Sequence, residues 1–291
     1  KAPLVFQSQS GDPITMRQLS NGLTLIHKRN RGNRIVGLTC MVLTGSVNET
    51  AEESGLTNLA LNVMRKGTTT RSARQIDEET EALGISIGDA AGQDLSYWTL
   101  TSTVDDFDRA LELLSDILLH PAFDPKEIEN ERQQVLAAIR MQEDNKFAFT
   151  YKNFRRLLYA GHPYGRPVEG TPESLAGLAQ AQMINLHEKQ MSPSNMIVAV
   201  VGDLDETELT AAIEKRLGIP CAMPARRVTV GKEFIPRPAS ETITKKAEQG
   251  FLCIGYTTCS IDSPDYPALR VASAVLGEGM SARLFTILRD Q

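Results

Sequence analysis

The chain has 291 residues, of which 41% are hydrophobic and 23% are charged, and its formal net charge is −5. This composition is typical of a folded globular protein of about two domains and excludes a disordered chain. The sequence contains no run rich in Lys and Arg, which disfavours a nucleic-acid-binding protein. No apolar stretch approaches the roughly 20 residues of a membrane helix, so no membrane span is predicted.

The first 218 residues alternate short strands with amphipathic helices. A hairpin is predicted around Ser20-Asn21-Gly22, and a buried strand follows at 34–43. Ser72 and Gln75 predict a capping box at the start of a helix, and Asp124 followed by Pro125 predicts the start of another. Predicted strands cover 14–19, 23–28, 34–43, 85–89, 95–103 and 195–201. Predicted helices cover 55–66, 72–83, 107–119, 125–141, 147–159, 180–190 and 206–217, and a further short helix begins at Thr171-Pro172. This order predicts an α+β fold with an antiparallel sheet for residues 1–218.

The rest of the chain predicts a linker and the opening of a second domain. Residues 219–240 contain four prolines and no helical period, which is typical of an interdomain linker. A strand is predicted over 250–258 and helices over 265–276 and 281–289. Because the 51 residues of 241–291 are too few for a self-sufficient domain, we expect the sequence to be part of a longer two-domain protein.

Several weaker patterns predict no site. The four cysteines form no Cys-x-x-Cys pair, so we expect ordinary thiols. This cysteine content fits a protein of the cytoplasm or of the periplasm. The four histidines have no ligand spacing. Gly277-x-Gly279-x-x-Ala282 matches a dinucleotide fingerprint but follows a predicted helix, so a loop between helices is predicted instead. Glu49, Glu52 and Glu53 are predicted to lie in a solvated loop.

Short, distinct motifs are distributed along nearly the whole chain. They are Asn21-Gly22-Leu23, Gly45-Ser46, Glu52-Glu53, Gly55-Leu56, Lys66-Gly67-Thr68, Glu131-Arg132, His162-Pro163-Tyr164-Gly165-Arg166-Pro167, Ser192-Pro193-Ser194-Asn195-Met196, Gly202-Asp203, Leu276-Gly277 and Gly279-Met280-Ser281. In this order and spacing they resemble peptidase family M16, the insulinase and pitrilysin metallopeptidases, in the branch of mitochondrial processing peptidase. The resemblance implies an α+β metallopeptidase domain followed by the start of a second, similar domain.

The family's chemistry depends on an inverted zinc motif, His-x-x-Glu-His, on the helix after the first central strand. Residues four apart lie on one helix face, so two imidazoles can bind one Zn²⁺ while the Glu activates a water. When the motif is aligned without gaps, its positions hold Asn58, Leu61 and Asn62 in this chain. The third-ligand position, seven residues after the supporting acid Glu131, holds Ala138.

The resemblance therefore implies a vacated zinc site, with no catalytic residue and no metal in this chain. Gly88-Asp89 stands where active members tend to carry Asn-Ala, on the edge strand to which substrates add, so the strand's role is left open. Arg289 matches a second-domain arginine that reaches the substrate backbone together with a tyrosine seven residues later, a position outside the 291 residues. In two-subunit bacterial members, the zinc-free subunit contributes this pair.

These features lead to one principal hypothesis and two alternatives. The principal hypothesis is an inactive M16-type subunit that forms half of a peptide-binding chamber with a zinc-bearing subunit, or in a homo-oligomer. It needs no cofactor of its own, because zinc is expected only in the partner. The first alternative is a scaffold homologue with no role in peptide cleavage. The second is an active peptidase with displaced ligands.

Overall fold

A seven-stranded sheet organises the first part of the chain. The computed structural model describes residues 3–7, 13–218, 238–245 and 249–289. The strands are β1 (Leu4–Gln7), β2 (Pro13–Gln18), β3 (Thr24–Arg29), β4 (Ile35–Val42), β5 (Ser86–Ala91), β6 (Ser96–Thr103) and β7 (Met196–Gly202). Their order across the sheet is β1-β2-β3-β7-β4-β6-β5, and among these seven described strands the β3–β7 pair is parallel while the other pairs are antiparallel.

The predicted first hairpin is formed by β2 and β3, in which Gln18 pairs with Thr24. The turn closes through the Gly22 amide, which donates to the Leu19 carbonyl at 3.0 Å. Gly22 has a φ of +90°, a conformation that side chains disfavour, and a Cβ there would lie 2.9 Å from the Cβ of Ser194. The turn therefore requires glycine both for its backbone and for its packing.

The helices lie close to their predicted ranges. They are α1 (Leu56–Met64), α2 (Ala73–Leu83), α3 (Phe107–Leu119), α4 (Pro125–Asp144), α5 (Lys146–Leu158), α6 (Pro172–Gly177), α7 (Gln180–Gln190), α8 (Glu206–Leu217), α9 (Tyr266–Gly277) and α10 (Arg283–Arg289). The predicted capping box is confirmed at α2, where the Ser72 hydroxyl accepts from the Gln75 amide. Asp124 caps α4 by accepting from the Lys126 amide at 2.7 Å. Sheet and helices together confirm the predicted α+β fold.

The core lies where the central strands meet the helices. Buried and less buried side chains alternate along β4 and β6, as expected for a sheet with one face against helices. The largest fully buried side chains include Leu23, Leu38, Trp98 and Leu100 from strands and Leu59, Leu61, Met64, Leu111 and Leu114 from helices. Helix α1 thus contributes directly to the core.

One predicted element is wrong. Residues 250–258 form no strand, and most of their side chains are exposed. A strand needs a neighbour to satisfy its backbone hydrogen bonds, and within the described ranges none pairs with this segment. The predicted domain limits at 218 and 241 stay predictions, since 219–237 lie outside the described residues.

The Glu49 side chain anchors the start of α1. Its carboxylate accepts from the amides of Gly55 at 2.9 Å and Thr57 at 2.7 Å. The N-cap residue of α1 is Gly55, which has no side chain to satisfy these amides, so Glu49 takes over that role. The prediction of a solvated loop is therefore wrong for Glu49, which is buried. Burial raises the pKa of its carboxyl group, while the amide hydrogen bonds act in the opposite direction.

We expect Glu49→Ala to lower the free energy of unfolding by about 1–3 kcal/mol, because it leaves two buried amides without an acceptor. Glu52→Ala is the control, since Glu52 is exposed in the same loop and its loss should change stability by less than about 0.5 kcal/mol. Urea unfolding followed by circular dichroism measures both. Equal stability of the two variants would show that Glu49 does not anchor the helix.

Candidate functional site

The helix that aligns with the zinc motif is held in one orientation by its packing. Gly55 begins it with a φ of +92°, and a Cβ on Gly55 would lie 2.8 Å from the carbonyl oxygen of Glu169. Asn58 and Asn62 are half-buried, one turn apart on the same side of α1. Leu61 is fully buried and belongs to the hydrophobic core. The position that aligns with the catalytic Glu therefore holds an apolar side chain packed in the hydrophobic core.

Helix α4 packs against α1 and supplies the aligned acid. Glu131 is buried, and its Oε1 lies 3.1 Å from the Lys66 Nζ and accepts from the Gln134 side chain at 2.9 Å. Ala138, two turns further along α4 on the side of Glu131, is exposed. Glu131 is thus engaged by a lysine of the α1 end, and Ala138 brings no donor atom.

The Gly88-Asp89 pair lies on β5, which is an edge strand of the sheet formed by the described residues, as predicted. The Asp89 side chain points toward α1, where its Oδ1 lies 3.2 Å from the Nη1 of Arg65, the C-cap residue of that helix. Only 7% of the Asp89 side chain is exposed, against 42% of Arg65. The ion pair therefore joins the end of α1 to the middle of the edge strand.

In both ion pairs at the end of α1, the carboxylate is buried and the cation is partly exposed. The carboxylates of Asp89 and Glu131 are each 7% exposed, while their cations Arg65 and Lys66 are 42% and 37% exposed. Burial raises the pKa of the Asp89 carboxyl group, and Arg65 and Lys66 lower it while Glu131 raises it. The four groups therefore act as one electrostatic cluster, which we call the α1-end cluster.

The residues at the motif positions do not fit a zinc ion. Zinc in proteins is bound by thiolate, imidazole and carboxylate groups. Asn58 and Asn62 offer only amide oxygens, and Leu61 and Ala138 offer no donor atom. Across the described ranges, no three His, Cys, Asp or Glu side chains come together as a metal site would require.

Arg289 is the last residue of α10, and its side chain lies outside the described residues. Its substrate role therefore stays a prediction. Gly279 has a φ of +90° in the loop between α9 and α10, so the glycine pattern there is a loop between helices, as predicted.

Burial lowers the pKa of the His187 imidazole and the nearby His120 lowers it further, but within the described residues the histidines form no metal site. His27 is buried in β3, and His120 contacts Asp116 at 3.2 Å. The His162 Nδ1 accepts from the Tyr164 amide at 3.1 Å, which confirms the turn predicted there, and His187 contacts the Leu118 carbonyl at 2.8 Å. None of these contacts makes a site.

Sequence reasoning missed Arg65 and its partnership with Asp89. The helical spacing gave a signal, because Arg65 follows Asn62 by three residues and so continues the same side of the helix. The partner could not be found in this way, since Asp89 is 24 residues further along the chain and is brought to the helix only by the sheet.

Comparison with known proteins gives two adjoining family matches. Residues 24–172 match the model of insulinase (peptidase family M16), and residues 178–291 match that of the peptidase M16 inactive domain. The uncharacterized zinc protease YmxG of Bacillus subtilis is 27% identical over 272 residues, which cover 93% of this chain and 65% of that protein. An uncharacterized zinc protease of Rickettsia felis is 26% identical over 282 residues, covering 96% and 67%. The chain thus spans about two thirds of the length of these relatives.

Solved structures share the fold. A peptidase M16 inactive domain from Pseudomonas fluorescens matches with a TM-score of 0.84 at 21% identity, and a protease from Helicobacter pylori with 0.81 at 20%. Each match covers 96% of this chain and 68% of the other. Within the described residues, no helix is both long enough and apolar enough to cross a bilayer. Two adjoining family matches and a shared fold show that this protein belongs to peptidase family M16.

Proposed function

We propose that this protein is a proteolytically inactive M16 subunit that binds peptide and forms half of a chamber with a zinc-bearing M16 subunit. The observation that carries the proposal is a juxtaposition at one edge of the sheet. Strand β5 has an edge that can accept an added strand, and the neighbouring α1 lacks zinc ligands at the aligned positions. Peptide binding and hydrolysis would then belong to different subunits.

The side chains at the aligned positions support a division of labour. Leu61 can neither accept nor release a proton, so it cannot replace a Glu that activates water. The amides of Asn58 and Asn62 both donate and accept, so they can hydrogen-bond a peptide main chain. In this proposal the zinc, which polarises the peptide carbonyl and activates water, is held by the partner subunit.

The remaining contacts would position the peptide. The main chain of β5 pairs with the extended substrate, as edge strands do with added peptides. Arg289 holds the peptide backbone from the second domain. The chain then contributes affinity and orientation, which raise the rate of a reaction carried out by the partner's metal.

We expect the full-length protein alone to cleave no peptide, and its cognate zinc-bearing subunit to cleave faster when the two are mixed. Arg289→Ala should raise the KM of the mixture by roughly tenfold, because one hydrogen bond from a charged group to the peptide is lost. A fluorogenic peptide assay with and without a chelator measures both effects. Chelator-sensitive cleavage by this chain alone would refute the inactive assignment.

The scaffold alternative predicts a different result in the same assay. If the protein is a structural homologue, it should associate with a larger complex. In that case neither its addition nor Arg289→Ala should change the rate or the KM of any zinc-bearing subunit. This outcome would refute the proposed role in substrate binding.

A second prediction concerns the vacated positions. Combining Asn58→His, Asn62→His and Ala138→Glu should let the chain bind one zinc ion, since the ligand types and spacing of an M16 site are then present. Native mass spectrometry measures the stoichiometry, and Ala138→Glu alone is the control. Leu61 is kept, because a charge at this fully buried position would destabilise the core. A triple variant that binds no more zinc than the control would refute the alignment.

A further inference from the structure

The outer edge of β5 lies beside two half-exposed cations. Within the described residues, β5 pairs only with β6, so its other edge carries no strand. Arg65 and Lys66 stand at the end of α1, which contacts β5, and their carboxylate partners are almost wholly buried. The surface beside this edge therefore presents positive charge, although the four charges of the α1-end cluster cancel.

Asp89 fixes where an added strand would meet this charge. Because residues two apart in a strand share a face, the side chains of Asp89 and the buried Ile87 both lie on the face of the sheet toward α1. A residue opposite Asp89 on an added strand would have its Cβ about 4.5–5.5 Å from the Asp89 Cβ, on the same face. That residue would therefore lie next to the Arg65 guanidinium.

The guanidinium of Arg65 has capacity for a second carboxylate. It carries five N–H donors, and its contact with Asp89 uses Nη1 alone. Because 42% of the Arg65 side chain is exposed, a second carboxylate can approach it from solvent. The Asp89 side chain is only 7% exposed, so an approaching side chain finds almost no surface of Asp89 to contact.

We infer that Arg65 is a specificity-determining residue, which selects extended peptides that place a Glu or Asp side chain opposite Asp89. The inference rests on the proposed binding of peptide at β5. A lysine at that position would meet Arg65 and Lys66 before it could reach the buried Asp89. A neutral side chain would cover the guanidinium without replacing the water it loses. Charged side chains that point inward on an edge strand also disfavour its pairing with arbitrary strands. The α1-end cluster would therefore reject strands that carry no acidic residue opposite Asp89.

The experiment uses the full-length protein and capped nonapeptides of alternating threonine and valine as probes. One central residue is Glu, Gln or Lys, placed at the fifth or the sixth position so that each face of the added strand is sampled. Because the host sequence repeats, the peptide can slide until the test residue reaches its preferred register. Fluorescence anisotropy gives the Kd, and hydrogen exchange of residues 86–91 reports whether binding occurs at β5.

We expect the Glu peptide to bind about two- to fivefold tighter than the Gln peptide, as is typical of one partly exposed ion pair. The Lys peptide should bind more weakly than either. The preference for Glu should fall at an ionic strength of about 1 M, where the Debye length is about 3 Å. Arg65→Gln should abolish the preference.

Two further variants separate selection from general charge. Arg74→Gln is the matched control, because Arg74 is an exposed arginine that pairs with Glu78 on α2, and this variant should keep the preference. Asp89→Asn should strengthen the preference for Glu, since it removes the internal carboxylate that shares the guanidinium.

The outcomes distinguish this inference from the proposed function. If the Glu and Gln peptides bind with the same Kd while both protect residues 86–91, or if the preference survives Arg65→Gln, peptide binding stands and the role of Arg65 is refuted. If no peptide binds and residues 86–91 exchange unchanged, the proposed peptide binding fails, and the inference fails with it.

Discussion

The burial of α1 constrains every other part of the candidate site. Seven of its nine residues are buried, so the helix cannot turn about its axis without exposing core side chains such as Leu59 and Met64. Each such exposure would cost about 1.5–3 kcal/mol. The two asparagines and the cations that follow are therefore held on the remaining side, where Arg65 reaches β5 and Lys66 reaches α4. Glu49 fixes the same helix at its other end.

The electrostatics of the α1-end cluster explain how the fold holds two buried carboxylates. A buried carboxylate is costly unless a nearby charge and hydrogen bonds compensate it. Arg65 and Lys66 provide that compensation from the solvent side, and Gln134 adds a hydrogen bond to Glu131. The two side chains that directly follow α1 thus neutralise the acids of α4 and β5. The cationic exposed surface follows from this arrangement.

Local signals predicted most of the fold. The Ser72–Gln75 capping box and the Asp124-Pro125 start depend on neighbours within a few residues, so the sequence alone revealed them. Residues 250–258 have the composition of a strand, but strand formation depends on a partner, which the described chain does not provide.

The candidate site was only partly predictable for the same reason. The motif frame located Asn58, Leu61, Asn62, Glu131 and Ala138, because their spacing along two helices is a property of the sequence. The burial of Glu49 and the contact of Arg65 with Asp89 arise from tertiary packing. A pattern of residue types could not reveal either of them, since neither partner lies at a helical or strand spacing.

We propose that the M16 fold of this chain carries no zinc site of its own. The most direct test is the zinc content of the full-length protein, purified, incubated with excess zinc, dialysed and weighed by native mass spectrometry. We expect the protein to retain no zinc, because the aligned positions offer two amides, a leucine and an alanine. One zinc ion retained per chain, and removed by a chelator, would contradict it.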